Sequence, residues 1–178
     1  MSIKQAIIRV GLRYGLVSGA LSIILFFVIA LFDENPLIVN SWFDFFLIPG
    51  FVFFGVREFR QYYNGGLLQF WQGASVGFIT YVTSALLFAV VIGGYLATRG
   101  EEWVDDYVAD RVAVVQENEE NFTEELGATT YQQVLQEVKA TSTFDLVLDD
   151  FLRKLMIGIF ITLIIATLQR RLPAKEMT

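Results

Sequence analysis

Between Arg60 and Arg99 the chain carries no charged residue. Such a run exceeds the ~20 residues with which a helix crosses a bilayer, and it constrains the fold more than any other feature. Its first part, from Asn64 to Gly73, is broken by Gly65 and Gly66 and carries Trp71, a residue type enriched at the membrane interface. The buried span is therefore expected at about 74–97. A second uncharged run, 14–32, reaches roughly 28 Å at about 1.5 Å per residue, close to a hydrocarbon core of about 30 Å. Lys4, Arg9 and Arg13 precede it as in a signal peptide. A signal's apolar region, however, runs only about 7–15 residues to a small-residue cleavage site, and this run ends in Leu31-Phe32-Asp33-Glu34. Two weaker candidates are 36–56, which contains Asp44 and the pair Pro49-Gly50, and 151–168, whose Arg153 and Lys154 are expected to snorkel to the head-groups. The apolar fraction of 54% lies above the roughly 45–50% of soluble domains. The expected fold is all-α: a four-helix transmembrane bundle with an acidic, extracytoplasmic helical hairpin, 99–150, between the third and fourth spans.

Charge bias orients the spans. With four crossings, one side holds Lys4, Arg9, Arg13, Arg57, Arg60, Arg170, Arg171 and Lys175 against only Glu58 and Glu176, while most of the acidic residues fall on the other. Basic short loops mark the cytoplasm, so both termini are expected inside and 99–150 outside. A re-entrant hairpin turning at Pro49-Gly50 is the alternative for 36–56, and it would move Arg57 and Arg60 to the outer side.

Within lipid, helices associate through close packing rather than through exclusion of water, and small residues permit that approach. Gly11, Gly15 and Gly19 recur every four residues in the first span, with Ser18 and Ser22 beside them. Gly73, Gly77, Ala85, Ala89 and Gly93 line the third, and Gly158, Thr162 and Ala166 the fourth. These faces suit a compact bundle, a second copy of the chain or another membrane protein.

In the acidic segment, Val104, Val108, Val112 and Val115 form a helical stripe, predicting a helix over about 101–121. Tyr131, Val134, Leu135 and Val138 mark a second helix, and Ser142 with Asp145 forms a capping box that starts the helix leading into the last span. Glu102, Asp106 and Asp110 share a face, but a straight helix lacks the folded oxygen cage that calcium needs, so they read as a solvated face. Asn121-Phe122-Thr123 matches a glycosylation triplet, a pattern that arises often by chance.

The formal charge of −6 leaves no basic footprint for nucleic acid. The absence of His and Cys excludes imidazole and thiolate chemistry, and no paired intramembrane aspartates occur, so no enzyme, cofactor or metal site is expected. Asp44 is the one ionisable residue well inside a span. With a helix starting at Trp42, Ser41 caps it and Asp44 completes a capping box, which is the favoured reading; with a start at Pro36, Asp44 lies two turns deep and needs a partner. No Lys or Arg is evident at matching depth in another span. Arg9, Arg13, Arg57 and Arg60 cluster at the inner interface, as anchors or as contacts to anionic lipid head-groups.

Three stretches carry a family resemblance: Arg13-Tyr14-Gly15-Leu16-Val17-Ser18-Gly19 opening the first span, Gly55-Val56-Arg57-Glu58-Phe59-Arg60 closing the second, and Gly65-Gly66-Leu67-Leu68-Gln69-Phe70-Trp71-Gln72-Gly73 entering the third. In these the chain resembles a family of small membrane proteins of unassigned function, the domain-of-unknown-function family numbered 4199. The resemblance implies a four-helix protein of the inner membrane of Gram-negative bacteria and transfers no catalytic residue. The functional expectation is a non-enzymatic interaction or envelope component whose partner is the lipid bilayer; the alternative is a subunit of a transporter or channel that uses Asp44.

Overall fold

The computed structural model describes residues 2–32 and 35–172, and its elements there are helices with one isolated antiparallel bridge, Leu68 with Arg171. In chain order they are α1 (Ile3–Ala30), α2 (Pro36–Glu58) with a π-helical turn (Phe59–Tyr63), α3 (Phe70–Arg99), α4 (Glu101–Glu117), α5 (Glu119–Leu126), α6 (Ala128–Lys139) and α7 (Thr143–Gln169). Four of them, α1, α2 with its π turn, α3 and α7, are long and apolar enough to cross a membrane. Asp33, Glu34, Lys175 and Glu176, which enter the charge argument, lie outside the described residues.

Local chemistry starts and stops these helices. Ser2 and Gln5 cap α1 reciprocally, and Ser142 and Asp145 do the same for α7, the second of these as expected from the sequence. Helix α2 runs unbroken through Pro49 and Gly50, which removes the re-entrant turn at that pair. Proline deletes one ladder hydrogen bond there without reversing the chain. The acidic segment forms three helices: the first ends at Glu117, short of the expected 121, and α5 intervenes before α6. The side chains of Asn121 and Phe122 in the glycosylation triplet are outside the described ones.

Helix α3 lies at the centre, packed against α1, α2 and α7. Glycines set its distance from α1. A Cβ added at Gly11 would lie 2.7 Å from Ile79 Cβ, and one at Gly15 would lie 2.6 Å from Thr83 Cβ and 2.8 Å from the Thr80 carbonyl oxygen. The α3–α7 seam works alike: Gly77 faces Thr162, Gly73 faces Ala166, and Gly158 faces the ring of Tyr81. Gly19 meets Ser84 and Leu87, Gly93 meets Val147, and Ala85 is buried. The small-residue faces are thus occupied by neighbours within the chain.

Two apolar clusters stack along the bundle. One contains Val10, Ile48, Val52, Val56, Val76 and Ile165; the other contains Phe26, Phe88, Ile92 and Leu96, with Trp103 of α4 packed edge-on against Phe26 at 5.6 Å. Between them each spanning helix contributes polar residues: Ser22 on α1, Asn40 and Asp44 on α2, Ser84 on α3 and Lys154 on α7, all buried. The perimeter is apolar, with Phe43, Phe46, Phe53 and Phe54 of α2 exposed, as suits a surface bathed by lipid.

Candidate functional site

The start of α2 decides where Asp44 sits. Asn35 is the N-cap, its side-chain oxygen accepting from Leu37 N at 3.0 Å, and Pro36 takes the first helical position, where its missing N–H costs nothing. Asp44 is therefore not a capping residue, which corrects the favoured sequence reading. It lies about 12 Å along the helix at ~1.5 Å per residue. Asn40, Asp44, Ile48 and Val52 recur every four residues on the buried face, so the carboxylate is carried into the bundle by the periodicity that buries the aliphatic side chains below it.

Burial of a lone carboxylate would cost several kcal/mol, and the site supplies partners. Ser22 Oγ donates to Asp44 Oδ1 at 2.5 Å and Asn40 Nδ2 to Asp44 Oδ2 at 3.0 Å. Lys154 Nζ lies 2.8 Å from Asp44 Oδ2 and 2.7 Å from Asp150 Oδ2. Lys154 is only 7% exposed, so it does not snorkel, and a buried ion pair does exist between α2 and α7. Both contacts of Nζ join a cation to a carboxylate oxygen at charge-assisted hydrogen-bonding distance. Its remaining side is covered by the face of Phe88, 3.5 Å from the ring centroid, where the π quadrupole attracts a cation.

One ammonium shared by two carboxylates leaves the triad one negative charge in excess. The two acids differ in access: the Asp44 side chain is 2% exposed and that of Asp150 is 23% exposed. A cavity of about 40 Å³ adjoins Asp150, lined by Asn40, Ser41, Phe88 and Arg153 among others, which is room for a single water with polar neighbours. Chemically, the arrangement can hold and pass a proton between acids of unequal exposure.

The other sequence candidates are distributed elsewhere. Arg13 pairs with Glu58, which also accepts from Tyr14 Oη at 2.8 Å, and Arg60 donates to the Gln169 carbonyl at 3.1 Å. These two join helices to one another, while Arg9 and Arg57 are exposed. Glu102, Asp106 and Asp110 are exposed on α4. Lys154, Asp150 and Asn40 were the residues that sequence reasoning missed as parts of a site. The available signals were two pairs at four-residue spacing, Asn40 with Asp44 and Asp150 with Lys154, each placing two polar groups on one helix face.

Across the chain, the family model described as "Protein of unknown function (DUF4199)" matches residues 13–171. The chain belongs to this family. The matched region contains every residue of the triad and its hydrogen-bond partners. No curated protein and no solved structure matches the chain significantly.

Proposed function

We propose that this member of the DUF4199 family is a non-enzymatic, proton-linked subunit of a membrane transporter or channel, with Asp44, Lys154 and Asp150 as its working centre. Composition and spans are shared with interaction or envelope components; the observation that favours transport is the buried lysine held between an enclosed and a reachable carboxylate. Ionisable groups inside spans mark proton and ion pathways. A proton arriving on the Asp150 carboxylate weakens its hold on Lys154. The ammonium then transfers a proton to Asp44 and is reprotonated by Asp150, which returns to its carboxylate. The net change is one proton moved inward by one acid, with both other groups restored. Beyond Asp44, Tyr81 Oη, Thr162 Oγ1 and Gln169 Oε1 are buried without partners among the described residues along α3 and α7, a polar trail toward the end of α7 that carries Arg170 and Arg171.

The reading includes an orientation supported by charge bias: both termini cytoplasmic in the inner (plasma) membrane, and α4, α5 and α6 outside, where an acidic surface is tolerated. Reporter fusions at Glu120 and at the C-terminus then report opposite compartments. The function is tested in proteoliposomes under an imposed potential with a trapped pH dye. Proton entry is expected with the parent chain and abolished by Asp44→Asn, which keeps the shape of the side chain. No flux in the parent, or equal flux in a normally folded Asp44→Asn, overturns the proposal.

A further inference from the structure

A second cavity, of about 460 Å³, lies beside the triad and is walled by α2, α4 and α7 with Tyr81 of α3. Its two ends differ. On α2 the wall is largely apolar, with Ile38, Trp42, Phe45 and Ile48 beside Ser41 and Asp44, and Ile157 is on the wall from α7. Trp42 is 71% exposed and Ile38 and Phe45 are exposed as well, so the mouth opens on the lipid-facing perimeter rather than into the bundle. At the other end the wall carries both signs of charge, Asp110 and Arg111 from α4 and Asp150 and Arg153 from α7. Arg153 is paired with Asp149, whereas Arg111 forms no ion pair among the described residues and lies over the Tyr107 ring at 5.7 Å. A further wall residue, Tyr81, is more than nine-tenths buried, and its hydroxyl has no hydrogen-bond partner among the described residues.

We infer that this cavity binds one phospholipid with an ethanolamine-type headgroup, entering sideways from the bilayer. The apolar wall takes the first part of an acyl chain, and the distal chain stays in the membrane through the open mouth. Arg111 holds the phosphate, with a guanidinium fork that matches its oxygens. Asp110, adjacent in sequence, accepts from the primary ammonium. An ester carbonyl supplies the acceptor that the Tyr81 hydroxyl lacks. A choline headgroup has no N–H to donate, and a glycerol headgroup has no cation for Asp110, so the mixed charge selects the ethanolamine form. The inference stands on the cavity wall and does not depend on proton movement through the triad.

The full chain, reconstituted in nanodiscs of phosphatidylethanolamine, phosphatidylglycerol and phosphatidylcholine in equal parts and released for native mass spectrometry, tests it. Preferential retention of one phosphatidylethanolamine is expected. Arg111→Gln, at an exposed position remote from the glycine seams, should lower that retention about tenfold, the scale of one charge-assisted hydrogen bond. Ile157→Trp, which fills the cleft, should remove it. Equal retention of the three lipids, preference for phosphatidylglycerol, or parent-level retention in a folded Arg111→Gln each overturns the inference. Flux through the Asp44 triad is measured separately and can fail or succeed independently.

Discussion

The α1–α3 seam and the α2–α7 seam solve one problem in opposite ways. In lipid, apolar surface gains nothing by leaving water, so helices need either very close packing or polar contacts to hold together. Helix α1 approaches α3 through Gly11, Gly15 and Gly19, with backbone and β-carbons nearly touching and no room for an added methyl group. Helices α2 and α7 are instead joined by Asp44 and Lys154, beside cavities of about 40 and 460 Å³. A glycine seam has one well-packed state. A seam of titratable groups has several, because each carboxylate can be charged or neutral, so the difference separates the joint of the bundle from the part able to respond.

The comparison breaks first at Lys154. Replacement by Met leaves Asp44 buried without its cation, and a loss of about 3–5 kcal/mol is expected in thermal unfolding in detergent. The double variant Lys154→Met with Asp44→Asn should recover most of that loss; a single variant as stable as the parent would show that charge does not hold α2 to α7. Next comes the glycine seam. In Gly15→Ala the new methyl group meets the Thr80 carbonyl, and overpacking should cost about 1–3 kcal/mol. The matched control is Gly50→Ala, where a Cβ meets nothing within 4 Å. Removing a flexible residue from the interior of α2 should stabilise it by about 0.5–1 kcal/mol, and the opposite signs of the two substitutions, read by the same melting assay, sharpen the contrast.

The smallest expected effect lies outside both seams. Tyr131 of α6 is buried, and burial together with the nearby Glu119 carboxylate raises its pKa above the ordinary 10.0. The folded state then keeps a proton that the unfolded chain releases, so this contribution to stability is full below pH 10.0 and is lost as pH rises through the raised value. Alkaline titration followed by tyrosinate absorbance and hydrogen exchange should show α4–α6 loosening in that range, and Tyr131→Phe should remove the dependence.

Much of the architecture is legible in local composition. Uncharged runs locate the long helices, Ser142 with Asp145 marks the start of α7, and the four-residue repeats of glycine mark the faces that meet. The site was far less legible. Asp44 near Ser41 invites a capping reading that loses to Asn35-Pro36, because a cap upstream with proline at the first position allows the helix to begin two turns earlier. Lys154, next to Arg153 at the edge of an apolar run, looks like an interfacial anchor. Arg153 does lie at the edge, paired with Asp149 on the same helix, whereas Lys154 turns inward.

The sequence by itself determined what is additive along the chain: the number of apolar helices, the capping of α7 at Ser142, and the faces narrow enough for close approach. Tertiary structure alone decided what depends on helix depth and rotation. One residue step turns a helical side chain by about a quarter turn or more, at ~3.6 residues per turn, so Arg153 and Lys154 face different surroundings although they are neighbours. Whether a lysine on α7 meets a carboxylate on α2 depends on the relative height of the helices. Gly77 of α3, in close contact with both Val52 of α2 and Thr162 of α7, helps to set that height, and no local pattern in the chain records it.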